Sequence, residues 1–328
     1  MEKKGNRASV LLKLAVLLLI ISGCSTVRVP IKVTHPAEIN MAQYKQIAIS
    51  DIRGNMGQAF ADELKNRLIE SNHFKVVDRS SMNQIMKELK LSQSDLADSA
   101  NAVKLGKLMS ASALIAGHTE GKYKEKRSSS RGTCYRDKQK YACTYYYRKG
   151  TYSTSGSIDV IDVQTGEIIR SKVLRAAYQD STSAVDDTPP SIDKDSLISA
   201  TLSKNLNTFM KAITPWDEVV QVPFVKDGDI PELERGINQA KLGELQEAVR
   251  IFAGVAKSAE SNSKIKPDTI AKAYWDLGLA HEYLFDYDNA IVAFKKAYVL
   301  NPEDDYIREI RNAKRLKIER KKLEEQNK

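Results

Sequence analysis

Apolar positions between residues 44 and 215 fall into two textures. Short continuous runs bounded by turn residues read as buried strands, whereas apolar residues every three or four positions read as helices. Ile47-Ala48-Ile49 within 44–52, Phe74-Lys75-Val76-Val77-Asp78 and the run from Ser112 to Gly117 are of the first kind. Gly54 and Gly57 break the first run. Phe60, Leu64 and Leu68 then predict a helix over 57–71, ended by Asn72. Ser80 or Ser81 can cap a second helix, with Met82, Ile85, Met86 and Leu89 on one face, and a third is expected over 100–109. Residues 157–163 and 167–173 predict a hairpin around Gln164-Thr165-Gly166. Leu197, Leu202, Leu206, Phe209, Met210 and Ile213 predict a closing helix over 196–213. Strands alternating with helices predict an α+β domain of layered α/β type over 44–215, closed by Pro215.

Beyond residue 230 the pattern is helical and repeats. Gly236, Ala248 and Phe252 recur as Gly278, Ala290 and Phe294, each displaced by 42 positions. With Tyr274, Leu277, Ala297 and Pro302, the second unit resembles a tetratricopeptide repeat. The first unit is degenerate, with Arg235 where leucine is usual and Val255 where alanine is usual. An insertion is expected around 262–266. Two such repeats over 230–304, with 305–328 as a charged capping helix or tail, predict an all-α C-terminal domain. In the usual repeat geometry Lys272, Trp275 and Leu279, and Ile230 and Leu233 in the first unit, face a concave groove. They are the expected partner-binding residues. Residues 24–43, with Pro30 and Pro36, read as a tether, and 216–229, with Pro223, as a linker.

Lys3, Lys4 and Arg7 precede a short aliphatic run over 14–21, which describes a signal peptide over 1–23. The run is too short for a comfortable transmembrane helix. Ser22-Gly23-Cys24 resembles a bacterial lipobox, which implies lipidation of Cys24. Ser25, in place of aspartate, resembles the outer-membrane sorting signal. The expected place is therefore the outer membrane, lipid-anchored and facing the periplasm. Several acyl chains anchor firmly where one is marginal. In an oxidising compartment Cys134 and Cys143, the remaining cysteines, are expected to close a disulfide.

Ile47-Ala48-Ile49, the stretch from Ala59 through Phe74 and Asp78 to Ser80, the Leu105-Gly106 turn and Val163-Gln164-Thr165-Gly166-Glu167 together resemble the curli-secretion CsgG superfamily over about 44–213. The resemblance implies a non-enzymatic envelope protein.

Composition agrees with a globular chain: 42% of its 328 residues are hydrophobic and 28% charged. The net charge of +9 is concentrated. Residues 121–150 hold ten Lys/Arg against two acidic residues, and seven of the fourteen tyrosines lie between Tyr123 and Tyr152. A basic, tyrosine-rich, disulfide-closed insertion there suits an anionic surface. Nucleic acid is excluded by the expected compartment. The histidines, His35, His73, His118 and His281, are scattered, and Asp186-Asp187 sits in a polar loop. No catalytic set, metal site or cofactor is expected. These features point to a protein-binding adaptor in envelope assembly or secretion, with homo-oligomerisation left open. The rival is a CsgG-type secretion channel for curli-like fibres. Its two membrane hairpins would have to come from 121–150 and 175–195, and neither supplies an apolar band.

Overall fold

The computed structural model describes residues 25–50, 52–77 and 112–327. They form two compact units: a sheet unit over 37–215, which takes in the last residues from 325, and a repeat unit of 25–36 with 216–324. The helices expected over 80–91 and 100–109, the Asp78-Arg79 and Leu105-Gly106 elements, the signal peptide and Cys24 lie outside the described residues.

Among the described residues the sheet unit has five strands in the order β3-β2-β4-β5-β6. These are β2 (Gln46–Ile49), β3 (Lys75–Val77), β4 (Ala113–Arg136), β5 (Gln139–Asp162) and β6 (Ile168–Val185). β2 pairs in parallel with β3 and β4, whereas β4, β5 and β6 run antiparallel, so the sheet is mixed. Helices α1 (Gly57–Glu70) and α2 (Lys194–Ile213) bury Phe60, Leu64, Leu68, Leu206, Phe209 and Ile213. Those side chains pack with Ile47, Ile49, Ile115, Ile158, Val160 and Leu174 from the strands. Phe60 and Phe209 meet edge-on at 6.4 Å, which joins the two helices. Asp193 starts α2 by accepting the Ser196 N–H at 3.0 Å. The turn between β5 and β6 is tied by Asp162. Its carboxylate accepts the N–H groups of Gln164 and Thr165 and the Tyr44 hydroxyl.

The strands run much further than the apolar runs predict. β4 continues for 24 residues where the sequence marks 112–117, and β5 for 24 where it marks 157–163. The expected insertion at 121–150 is therefore the continuation of both strands. They join through Asp137 and Lys138, both at positive φ, in a two-residue hairpin turn between Arg136 and Gln139. β6 likewise runs on through 175–185.

The repeat unit begins with a correction. Residues expected as a tether (24–43) and a linker (216–229) hold β1 (Ser25–His35) and β7 (Trp216–Lys226). The two pair antiparallel over their full length, from Ser25 opposite Lys226 to His35 opposite Trp216. Val27, Val29 and Ile31, with Val220, Val222 and Phe224, turn one face of this pair toward the repeat core. Pro30 and Pro223 are tolerated because each strand of a two-stranded ribbon has a free edge.

Five helices follow: α3 (Leu233–Lys241), α4 (Leu245–Glu260), α5 (Pro267–Tyr283), α6 (Tyr287–Leu300) and α7 (Asp304–Gln326). The 42-residue repeat is a real structural repeat. A Cβ built on Gly278 would lie 2.4 Å from Phe294 Cε1, and one on Gly236 would lie 2.3 Å from Phe252 Cε1. The degenerate first unit thus packs as the second does. The last helix places Tyr306, Ile310, Ala313 and Leu316 on the repeat core.

Gly278→Ala should cost about 1–3 kcal/mol, the usual penalty for overfilling a packed site. Gly254, whose Cβ would meet nothing within 4 Å, is the control. Gly254→Ala should be neutral or stabilise by up to about 1 kcal/mol through helix propensity. Thermal melts of both variants decide the matter. Equal melting temperatures would show that the glycine–phenylalanine contact is not tight.

Candidate partner-binding site

The five expected groove residues come together in the repeat unit, but not as an open surface. Ile230, Leu233 and Leu279 are 4%, 0% and 2% exposed and belong to the core. Trp275 is half-buried. Its ring lies 5.6 Å from those of Phe294 and Tyr306, and its indole N–H donates to the Pro223 carbonyl at 3.1 Å. Lys272 Nζ is paired with Asp227 at 2.8 Å. The face expected to receive a partner is therefore occupied by β7 and the turn after it. Of the five, Trp275 and Lys272 contact the chain's own β7 and the turn after it.

The contact is polar as well as apolar. Asp276 on α5 is fully buried, and its Oδ1 accepts the Val225 N–H at 2.8 Å. Burial holds the Asp276 carboxyl well above the usual carboxylate range, against the pull of that N–H. Its Oδ2 has no hydrogen-bond partner. A backbone N–H, a backbone carbonyl and apolar side chains are what any extended segment offers. The α5 face thus has the chemistry to hold a strand, and β7 is the strand it holds. At the far end of this ribbon His35 stacks on Trp216 at 4.4 Å and lies 3.3 Å from Glu218 and 3.4 Å from Glu319.

A second buried carboxyl lies on the α7 side of α5. Glu282 is 1% exposed; its Oε1 accepts from Asn312 Nδ2 at 3.1 Å. Burial first, and then the nearby Glu309 carboxylate, push its pKa up to about 9, with Arg315 and Asn312 opposing. The pKa of His281, the preceding residue, is lowered by burial against the effect of Asp286, 3.1 Å from its Nδ1. It serves the turn between α5 and α6. His73 and His118 are exposed.

In the sheet unit the outer parts of β4, β5 and β6 form a three-stranded ribbon. Beyond Tyr123 nearly every residue of β4 is exposed. Cys134 and Cys143 close the ribbon near its tip with a disulfide, their Cα atoms 5.8 Å apart. The positive charge predicted for this stretch lies on the ribbon. Lys122, Lys124 and Lys126 alternate along β4, and Lys126 sits opposite Lys149. Asp186 and Asp187 are exposed and accept the N–H groups of Thr144 and Thr188. Gly54 and Gly57 form the turn into α1, and the Gly57 N–H donates to the Gly54 carbonyl. Among the described residues there is no cluster of three or more His, Cys, Asp or Glu suited to a metal ion.

Comparison with known proteins agrees with this two-part architecture. Residues 25–187 match the family model described as curli production assembly/transport component CsgG, and 271–304 match the tetratricopeptide repeat model. The first match begins earlier than the sequence resemblance, at the first residue of β1, and stops before α2. Among solved structures, the LpoB C-terminal domain from Salmonella enterica is 17% identical over 40% of this chain and 82% of its own length, with a TM-score of 0.27. Lipoprotein GNA1162 from Neisseria meningitidis is 12% identical over 50% of this chain and 96% of its own, with a TM-score of 0.31. The LpoB C-terminal domain from Escherichia coli is 17% identical over 40% of this chain and 82% of its own, with a TM-score of 0.26. The chain carries a CsgG-like α+β domain followed by an all-α tetratricopeptide-repeat domain.

Proposed function

We propose that this chain is an envelope lipoprotein that works by binding other proteins, anchored through Cys24 to the outer membrane and facing the periplasm. The observation that carries the binding role is the ribbon of β4, β5 and β6. Strands of 24, 24 and 18 residues extend past the core that α1 and α2 cover. Among the described residues no strand pairs with the outer edge of β4 beyond Gly121, or with that of β6. An unpaired edge is a template for another chain unless it is shortened, covered or charged, and β6 beyond Arg175 carries a single charge, Asp180. The anchor has its own consequence. Ser25, directly after Cys24, is already the first residue of β1. Lipidation at Cys24 would hold the end of the β1–β7 pair at the membrane with no flexible tether between.

The second reading is an oligomeric secretion channel, favoured by strand length: a membrane-spanning strand needs about 9–11 residues. Side-chain chemistry opposes it. One face of β4 carries Lys122, Lys124 and Lys126, and the other Glu125, Arg127 and Arg131. Neither face is apolar, and a cation facing lipid costs about 2–4 kcal/mol at the midplane.

In-cell crosslinking, followed by mass spectrometry of the outer-membrane fraction, tests the reading. Crosslinks to envelope proteins are expected. Cys24→Ser should remove the acyl mass and the chain from that fraction. Crosslinks to copies of this chain alone, together with reproducible channels in planar bilayers, would replace the adaptor by the channel.

A further inference from the structure

β4 and β5 place Arg127 directly opposite Arg148. Like charges directly opposed across a ladder destabilise a sheet, so folding gives no reason for the pair. One carboxylate serves both. Glu125 Oε1 accepts from Arg127 Nε at 3.0 Å and lies 3.9 Å from Arg148 Nε. Its Oε2 accepts from the Tyr123 hydroxyl at 3.0 Å. The Arg127 hydrogen bond, and then that of Tyr123, hold the Glu125 carboxyl below its usual range. Two guanidinium groups thus share a single fixed anion. The Arg148 side chain is only 12% exposed, and its Nε has no hydrogen-bond partner.

A roof lies over this pair. After β6 the chain turns at Asp186, which has φ of 52°, and runs back across the ribbon. Asp186 is pinned to Thr144 through both its N–H and its Oδ1, at 2.8 and 2.7 Å. The Thr182 hydroxyl holds the Pro190 carbonyl at 2.6 Å. Between loop and ribbon lies a cavity of about 460 Å³ lined by Arg127, Arg148, Tyr146, Tyr147, Asp187 and Pro189. That is the size of a small-ligand site. Its walls differ in chemistry. Paired guanidinium groups recognise a carboxylate or phosphate with fixed geometry. Tyrosine faces suit the C–H face of a ring, and a carboxylate accepts from hydroxyls.

We propose that this cavity binds an anionic saccharide unit, with its carboxylate or phosphate on Arg127 and Arg148 and its hydroxyls toward Asp187. The site goes beyond the adaptor role and does not depend on it.

Titration calorimetry of the full chain tests the proposal with four probes: glucuronate, glucose 1-phosphate, neutral methyl glucoside and inorganic phosphate. At least one of the two sugar acids should bind saturably, and which one binds more tightly identifies the anion. The neutral sugar and inorganic phosphate should each bind at least tenfold more weakly. Arg127→Gln and Arg148→Gln should each weaken the sugar acid at least tenfold. Their melting temperatures should change little, because each loses a contact with Glu125 together with the like-charge contact. Lys138→Gln, in the tip turn, makes the same change in net charge and should leave binding intact. No saturable binding of either sugar acid would overturn the site. Equal binding of inorganic phosphate, or an equal loss in Lys138→Gln, would reduce it to general attraction of anions by a basic surface.

Discussion

Trp275→Ala should destabilise the repeat unit by about 3 kcal/mol, at the lower end of the range for truncating a packed aromatic residue because the ring is half-buried. Three contacts are lost together. The ring leaves Phe294 and Tyr306, so the joint between α5, α6 and α7 loosens. The Pro223 carbonyl loses its indole donor, so β7 loosens as well. Hydrogen exchange resolved by peptide reads both effects. Protection should fall in α5 to α7 and at the Val225 amide, while the core strands of the sheet unit keep theirs. Trp275→Phe keeps one aromatic ring but loses the hydrogen bond, an effect of about 1 kcal/mol, and the volume of the second ring, so its cost should fall between those of the wild type and Trp275→Ala. Unchanged protection in Trp275→Ala would return Trp275 to the status of a free groove residue available to partners.

Glu282→Gln should stabilise the protein, and the gain should grow with pH. The folded-state pKa of about 9 lies above the ordinary value of 4.5, so the folded chain holds a proton that the unfolded chain releases between those limits. Stability from this group is fully present below about pH 4.5 and is lost as pH rises toward 9. By pH 7 the loss is about 3 kcal/mol, taking 1.36 kcal/mol per pKa unit. Glutamine carries no charge to bury and keeps a carbonyl for Asn312 Nδ2. Melting temperatures of the two proteins should coincide near pH 4.5 and separate by pH 8.5, the variant being higher. A constant difference across that range would show that Glu282 is ionised in the folded state, held by Arg315.

The buried strands, α1, α2 and the repeats were legible because their signals are local. Gly236 with Phe252 and Gly278 with Phe294 are each sixteen residues apart, and the small-against-large contact that joins them is written in that spacing. The length of β4, β5 and β6 was not legible. Apolar alternation marks a strand only where one face is dry, and the outer ribbon is wet on both faces. The Arg127–Arg148 pair was invisible for a related reason. The two lie 21 positions apart in the sequence, and only the hairpin register sets them face to face.

What the sequence determined by itself was the inventory: two units, the repeat period and the cysteines able to pair across a hairpin. Each rests on composition or on spacing within one or two elements, where backbone geometry leaves little choice. What only the tertiary structure decided was which surfaces are open. β1 and β7 lie about 190 residues apart along the chain, and each alone, with its proline, looks like a connector. Paired, they form an amphipathic ribbon whose apolar face must be buried, and the α5 face with Trp275, Asp276 and Lys272 buries it. Occupancy of a groove depends on a distant segment reaching it, and no local pattern of residues encodes that meeting.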